Sequence, residues 1–145
     1  MKFLVINGPN LNMLGVREPE IYGKADYAAL VMFIGNVCRD LGVECEIWQS
    51  NHEGEIVDKI QAALITGTDG IVINPAAYTH TSVAILDALK AVDLPAAEVH
   101  LSNINERESF RHVSYAGLAC LKTFAGFGFD GYRMALEFLK KHIGG

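Results

Sequence analysis

The chain has 145 residues, half of them hydrophobic and a fifth charged, which suits one folded domain and excludes a disordered segment. Its 12 lysines and arginines against 17 aspartates and glutamates give a net charge of −5, so nothing draws it generally to a phosphate backbone. The longest apolar stretch, Ala28 to Ile34, is far below the ~20 residues of a membrane span, and Phe3 to Ile6 is too short for a signal-peptide core. The expectation is a single catalytic-sized domain over 1–145, without nucleic-acid or membrane partners. Cys38, Cys45 and Cys120 are odd in number and show no C-x-x-C spacing, which speaks against a zinc site or a disulfide framework and for a reducing cytoplasm.

Phe3 to Ile6 reads as a first buried strand. Leu30, Phe33, Ile34, Val37, Cys38 and Leu41 recur at helical spacing, and Gly42 ends that helix. Val43 to Trp48 is a second strand, and Ile56, Ile60, Ala63 and Leu64 mark a helix that stops near Gly67. Gly70 to Ile73 is a third strand, followed by a helix over roughly Ser82 to Val92. Pro95 opens a fourth strand that runs to about Leu101, and a fifth lies within Leu118 to Phe127. Tyr132, Ala135, Leu136 and Leu139 stripe the last helix. Nearly continuous apolar strands alternating with helices predict a doubly wound α/β domain with a parallel sheet covered on both faces. Five strands fit the flavodoxin-like order 2-1-3-4-5, whose ligands bind beyond the carboxyl ends of the strands.

Polar clusters follow the first four strands. They are Asn7-Gly8-Pro9-Asn10-Leu11-Asn12, then Gln49-Ser50-Asn51, then Asn74-Pro75 with Tyr78-Thr79-His80-Thr81-Ser82, and lastly Glu98, His100, Ser102 and Asn103. A parallel sheet puts all four on one edge. Amides and hydroxyls suit a many-hydroxylated substrate, arginine suits a carboxylate, and no His/Asp/Glu spacing suggests a metal. Glu98 and His100 are two apart on a strand and share a face, so the carboxylate can hold one imidazole nitrogen and leave the other for acid–base work. A structural buried pair fits the same spacing. Leu14 to Gly23 is a long connection without apolar period, of the kind used as lids, and carries Arg17 and Tyr22. Gly126-Phe127-Gly128-Phe129-Asp130-Gly131 spells a dinucleotide fingerprint, but only Tyr132 to Gly145 follow it. No second strand and no acidic residue ~20 positions on are available, so a tight turn and close helix packing are expected instead.

Three of these segments, Asn7 to Asn12, Leu14-Gly15-x-Arg17-x-Pro19-x-x-Tyr22-Gly23 and Gln49-Ser50-Asn51-x-Glu53-Gly54, are joined in order by three more. These are Ile73 to Ser82, Glu98-Val99-His100-Leu101-Ser102-Asn103 and Arg107-Glu108-x-Phe110-Arg111. Together they closely resemble the type II 3-dehydroquinate dehydratases over essentially the whole chain. The resemblance implies a cofactor-free lyase that converts 3-dehydroquinate to 3-dehydroshikimate by anti elimination through an enolate, in the shikimate pathway or in quinate breakdown. It implies a flavodoxin-like subunit in a dodecamer built from trimers. Carried over by position, Tyr22 takes the C2 proton and Arg17 stabilises its anion. His100 protonates the departing hydroxyl, with Glu98 orienting it. Asn10 and Asn74 position the enolate and a water, and Asn74 also binds substrate. His80, the backbone amides at Leu101 and Ser102, and Arg111 hold hydroxyls and carboxylate, while Asp87 reaches a neighbouring subunit's site. The chain departs from the family pattern at Leu86 and between Ala116 and Thr123. Both are expected to lie clear of the catalytic motifs and to bear on subunit contacts. The rival expectation, from another class, is a non-catalytic module that senses a small polyol acid; Tyr22 and His100 together favour the enzyme.

Overall fold

The computed structural model describes residues 1–16 and 25–145. Five parallel strands, β1 (Lys2–Asn7), β2 (Glu44–Gln49), β3 (Gly70–Asn74), β4 (Ala96–His100) and β5 (Lys122–Ala125), form one sheet in the order β2-β1-β3-β4-β5. The expected order is the one observed. Helices α1 (Tyr27–Leu41) and α4 (Asp130–Gly144) cover one face, packing Leu30, Ile34, Val37, Leu136 and Leu139 onto Phe3, Val5, Val72 and Val99. Helices α2 (Glu53–Ala62) and α3 (Val83–Val92) cover the other, with Ile56, Ile60, Ile85 and Leu89 on Leu4, Ile6, Ile71 and Ile73. Alternate residues of each central strand therefore feed two separate cores, which is why these strands read as unbroken apolar runs. None of the helices among the described residues is long and apolar enough to cross a membrane.

The edge strands depart from that expectation. On β2, Glu44 and Glu46 are exposed, and on β5, Lys122 and Thr123 are exposed. Each of these strands pairs on one side only, and charge along an open edge discourages pairing with another chain. Helix ends follow their caps. The Asp26 carboxylate accepts from the Ala29 amide at 2.8 Å and extends α1 one turn ahead of its apolar stripe, while Ser82 accepts from Ile85 at 3.0 Å to start α3.

Helix α3 ends less comfortably. Asp93 takes φ 53°, ψ 34° in the left-handed region and sets an anionic side chain beside the helix carbonyls. Asp93→Gly is expected to stabilise the fold by about 0.5–1 kcal/mol, the relief of strain and of dipole repulsion exceeding glycine's added chain entropy. Thermal unfolding would register this as a melting temperature a few degrees higher; an unchanged or lower one contradicts it.

The register is what assembles the site. Asn7 stands opposite Gln49 on one side and Asn74 on the other, so the ends of β2, β1 and β3 bring three amide side chains abreast at the carboxyl edge. The switch in strand order falls here, between strands whose connections run to opposite sides of the sheet.

Candidate active site

Chain ends packed this tightly need a residue without a side chain. The Gly8 amide donates to the Asn74 carbonyl at 2.8 Å, and a Cβ on Gly8 would stand 2.5 Å from the Pro75 oxygen. Beyond Gly8 the chain turns through Asn10, which has φ 69°, into a short 3₁₀ turn at Leu11–Met13. The amide of Asn10 is held by the Asn51 side chain at 3.0 Å, and Gln49 Nε2 donates to the Gly8 carbonyl at 3.1 Å. Tyr78 closes the ring by donating its hydroxyl to the Asn51 carbonyl at 2.8 Å. The Gln49-Ser50-Asn51 cluster is thus a brace for Asn10 rather than a wall of the site.

That turn overhangs a cavity of about 450 Å³. Of the residues expected at the site, Asn10, Asn74, His80, His100, Leu101, Ser102 and Arg111 line it. Glu98 lies directly behind His100. Asp87 does not line the cavity; it sits exposed on α3. Arg17 and Tyr22, and with them most of the expected lid, lie outside the described residues. Met13, Leu14, Ile104 and Arg107 line the cavity as well and were not foreseen. Arg107 had a signal, since it opens the Arg107-Glu108-x-Phe110-Arg111 motif. Leu14 had the same kind of signal, opening the Leu14-Gly15-x-Arg17 motif, whereas Met13 and Ile104 had none, because walls drawn from loops leave no period in the sequence. Among the described residues no group of three His, Cys, Asp or Glu is placed to hold a metal ion.

Glu98 and His100 project from one face of β4, as their spacing predicts. Glu98 Oε2 lies 2.9 Å from His100 Nε2, off the line that a well-directed ring N–H bond would take. The ring's other nitrogen, Nδ1, is left for the cavity. Glu98 is only 1% exposed, and burial alone would push its carboxyl up. The His100 ring and the hydroxyls of Ser114 and Thr123 outweigh burial and hold it below its ordinary value. Ser114 donates to Oε2, and Thr123 donates to Oε1 at 2.7 Å. Two accepted hydrogen bonds and the adjacent imidazole, in a dry setting, hold Glu98 as a fixed anion behind His100.

This corrects one expectation. The stretch from Ala116 to Thr123 is not clear of the catalytic motifs: Thr123 binds Glu98 directly, and a Cβ on Gly117 would stand 2.8 Å from Glu98 Oε1. The stretch begins as a 3₁₀ turn, Ala116–Ala119, whose Ala116 is buried in the core, and runs into β5 alongside β4. Pairing with β4 is what carries Thr123 to the carboxylate, since Glu98 and Thr123 stand opposite each other in the ladder. Leu86, the other departure, is buried on α3.

Removing one donor from this cradle tests its strength. Ser114→Ala is expected to cost about 1.5–3 kcal/mol at pH 7, the range for a hydrogen bond to a charged group. Because Glu98 is held below its ordinary value, its contribution is present above that value and is lost as pH falls through the lowered one. Loss of the Ser114 hydroxyl raises the folded-state value, so the gap between wild type and variant narrows on acidification. Urea unfolding at pH 7 and at stepwise lower pH reads both; a gap that is absent at pH 7, or that widens in acid, refutes the cradle.

The remaining polar walls come from 3₁₀ turns. His80 ends the turn Ala76–His80, and its Nδ1 lies 2.8 Å from the Val113 carbonyl. A carbonyl only accepts, so Nδ1 carries the hydrogen and the neutral ring keeps Nε2 as an acceptor. Arg111 ends the turn Ser109–Arg111, where its Nε donates to Glu108 Oε2 at 3.1 Å and its guanidinium lies 5.1 Å from the Phe110 ring centre. The surface ion pair and the cavity position are therefore both real, with Nε engaged and the guanidinium's other N–H groups left for an anion. The glycine fingerprint serves the same edge. Gly126 and Gly128, with φ 88° and 57°, donate to the carbonyls of His100 at 3.3 Å and Leu101 at 3.0 Å, while a Cβ on Gly131 would crowd Val99 at 3.1 Å. It is a tight turn and a close helix approach, as expected.

A doubly wound sheet whose carboxyl edge holds a carboxylate-backed histidine, paired amides and arginines defines a small α/β protein built to receive a polar, acidic molecule. The family model for Dehydroquinase class II matches residues 1–140, and the chain belongs to that family. It is 54% identical over 143 residues to the 3-dehydroquinate dehydratase of Clostridium perfringens strain SM101, covering 99% of this chain and 98% of that one. Among solved structures it is similar to the type II dehydroquinase of Butyrivibrio crossotus, with TM-score 0.93, 55% identity and 97% of each chain covered. The type II dehydroquinase of Propionibacterium acnes superposes with TM-score 0.90 at 42% identity, over 97% of this chain and 96% of that one.

Proposed function

We propose that this chain is a 3-dehydroquinate dehydratase, removing water from 3-dehydroquinate to give 3-dehydroshikimate. The observation that carries the reading is the convergence of Asn10, Asn74, His80, His100 and Arg111 on one cavity in a chain of the class II family. In the reaction we assign, Tyr22 as phenolate takes the C2 proton, and the electron pair moves onto the carbonyl oxygen as an enolate. The enolate collapses, the bond to the C1 hydroxyl breaks, and a proton from His100 leaves with it as water. Proton taken and proton given balance. Arg17 stabilises the phenolate, and Glu98 fixes the tautomer and offsets the charge of a protonated His100. Asn10 and Asn74 position the enolate and a water, Arg111 takes the carboxylate, and His80 accepts from a ring hydroxyl through Nε2.

Asp87 faces outward on α3, which supports its service to a neighbouring copy's site in a trimer-based dodecamer. Three free cysteines suit a reducing cytoplasm. The deciding experiment supplies 3-dehydroquinate to purified protein and follows the conjugated enone of the product by ultraviolet absorbance, with and without EDTA. Turnover in both arms is expected. Absence of product refutes the activity, and loss with EDTA that a divalent ion restores refutes the metal-free route.

A further inference from the structure

We propose that Tyr132 is a positioning residue for the reaction, its buried hydroxyl fixing which way the Asn74 side chain faces the cavity. This rests on the substrate contact assigned to Asn74 above. By sequence Tyr132 is one more member of the apolar stripe of α4, and its ring is indeed wholly buried. The hydroxyl is what packing alone does not explain. It donates to Asn7 Oδ1 at 2.6 Å and accepts from Asn74 Nδ2 at 2.9 Å, bridging the last residues of β1 and β3, which stand opposite each other in the ladder. A phenylalanine would fill the core without the cost of burying a polar group.

The directions of these bonds follow from one fixed donor. The Ala76 backbone N–H can only donate, and it points at Asn74 Oδ1 at 3.2 Å. Asn74 must then turn its Nδ2 toward Tyr132, the hydroxyl oxygen must accept, and its single proton must go to Asn7. Burial pushes the phenol well above its ordinary value, so that proton stays in place. Asn7 in turn sets its Nδ2 3.5 Å from the hydroxyl of Tyr27, the first residue of α1. A relay runs from Ala76 on the cavity wall, through Asn74 and Tyr132, to the start of α1. Without the hydroxyl, Asn74 Nδ2 loses its buried acceptor, and the amide is no longer held with its polar atoms in register for the enolate.

The test compares full-length Tyr132→Phe, Asn7→Ala, their double variant and Asn74→Ala by steady-state kinetics at 25 °C, with circular dichroism verifying folding. Tyr132→Phe is expected to lower kcat about tenfold while KM changes less than about threefold, since the loss falls on the transition state. Asn7→Ala frees the same proton without touching the α4 core and should reproduce the defect. The double variant should be no worse than the poorer single, the mark of residues acting in one chain. A purely structural tyrosine would lower the melting temperature and leave kcat alone. The proposal is overturned by kcat within about twofold of wild type in Tyr132→Phe or Asn7→Ala while Asn74→Ala is impaired, a difference too small to mark lost transition-state binding. Wild-type kcat in Asn74→Ala itself overturns both the contact assigned to Asn74 and the proposal built on it.

Discussion

Replacing His100 with alanine is expected to lower kcat by about 10²–10⁴-fold, the usual worth of a positioned general acid, while exchange of the substrate's C2 proton continues. The expectation comes from geometry. His100 is buried on β4, lines the cavity, and has its Nε2 against a carboxylate to which the Ser114 and Thr123 hydroxyls donate. In the assigned role this imidazole hands a proton to the leaving hydroxyl. Removing it leaves the hydroxyl to depart unprotonated, but leaves the enolate-forming step intact. Substrate should still bind through Asn74, His80 and Arg111, measurable by calorimetry. Proton exchange followed by NMR in deuterated water separates the two steps. If exchange stops together with turnover, His100 acts in the first step and its role as the acid for the hydroxyl is wrong.

The complementary variant, Tyr22→Phe, is expected to abolish both turnover and exchange. A free tyrosine has a pKa near ~10, so only about one in a thousand is ionised at pH 7. Each unit of lowering is worth about 1.4 kcal/mol, and a guanidinium brought within a few ångströms would supply it with a charge that does not titrate. Arg17 lies five positions before Tyr22 in the chain. Arg17→Lys keeps a charge but loses the planar fork that fixes its place, so it should share the collapse in rate while substrate still binds. Exchange at the wild-type rate in Tyr22→Phe would transfer the base assignment to another residue, with His100 next in line.

Much of this arrangement is legible in the sequence because period and punctuation carry it. The apolar runs of β1 and β3, the stripe of α1 with Gly42 behind it, and the Glu98–His100 spacing each encode geometry over a few residues. What is not legible is whatever depends on pairing between distant segments. Thr123 gives no sign of chemistry until β5 is laid beside β4, 25 positions from Glu98 in sequence and adjacent in the ladder. Tyr132 reads as core because its ring is core; only the meeting of the ends of β1 and β3 with α4 reveals the hydroxyl's partners. The edge strands β2 and β5 escape the apolar pattern for the opposite reason, since half of their surroundings is solvent. The 3₁₀ turns among the described residues are likewise silent, each being too short to show a period.

The attachment of Thr123 to Glu98 has a thermal consequence. β5 is four residues long, pairs on one side only and begins with two exposed residues, features that place a segment at the low end of the scale of local opening. Each fraying event would strip a donor from the anion beside the His100 imidazole, without disturbing either core. The working temperature of the catalyst is then bounded by the adhesion of its outermost strand, and activity would fade on heating before the sheet and its helices come apart.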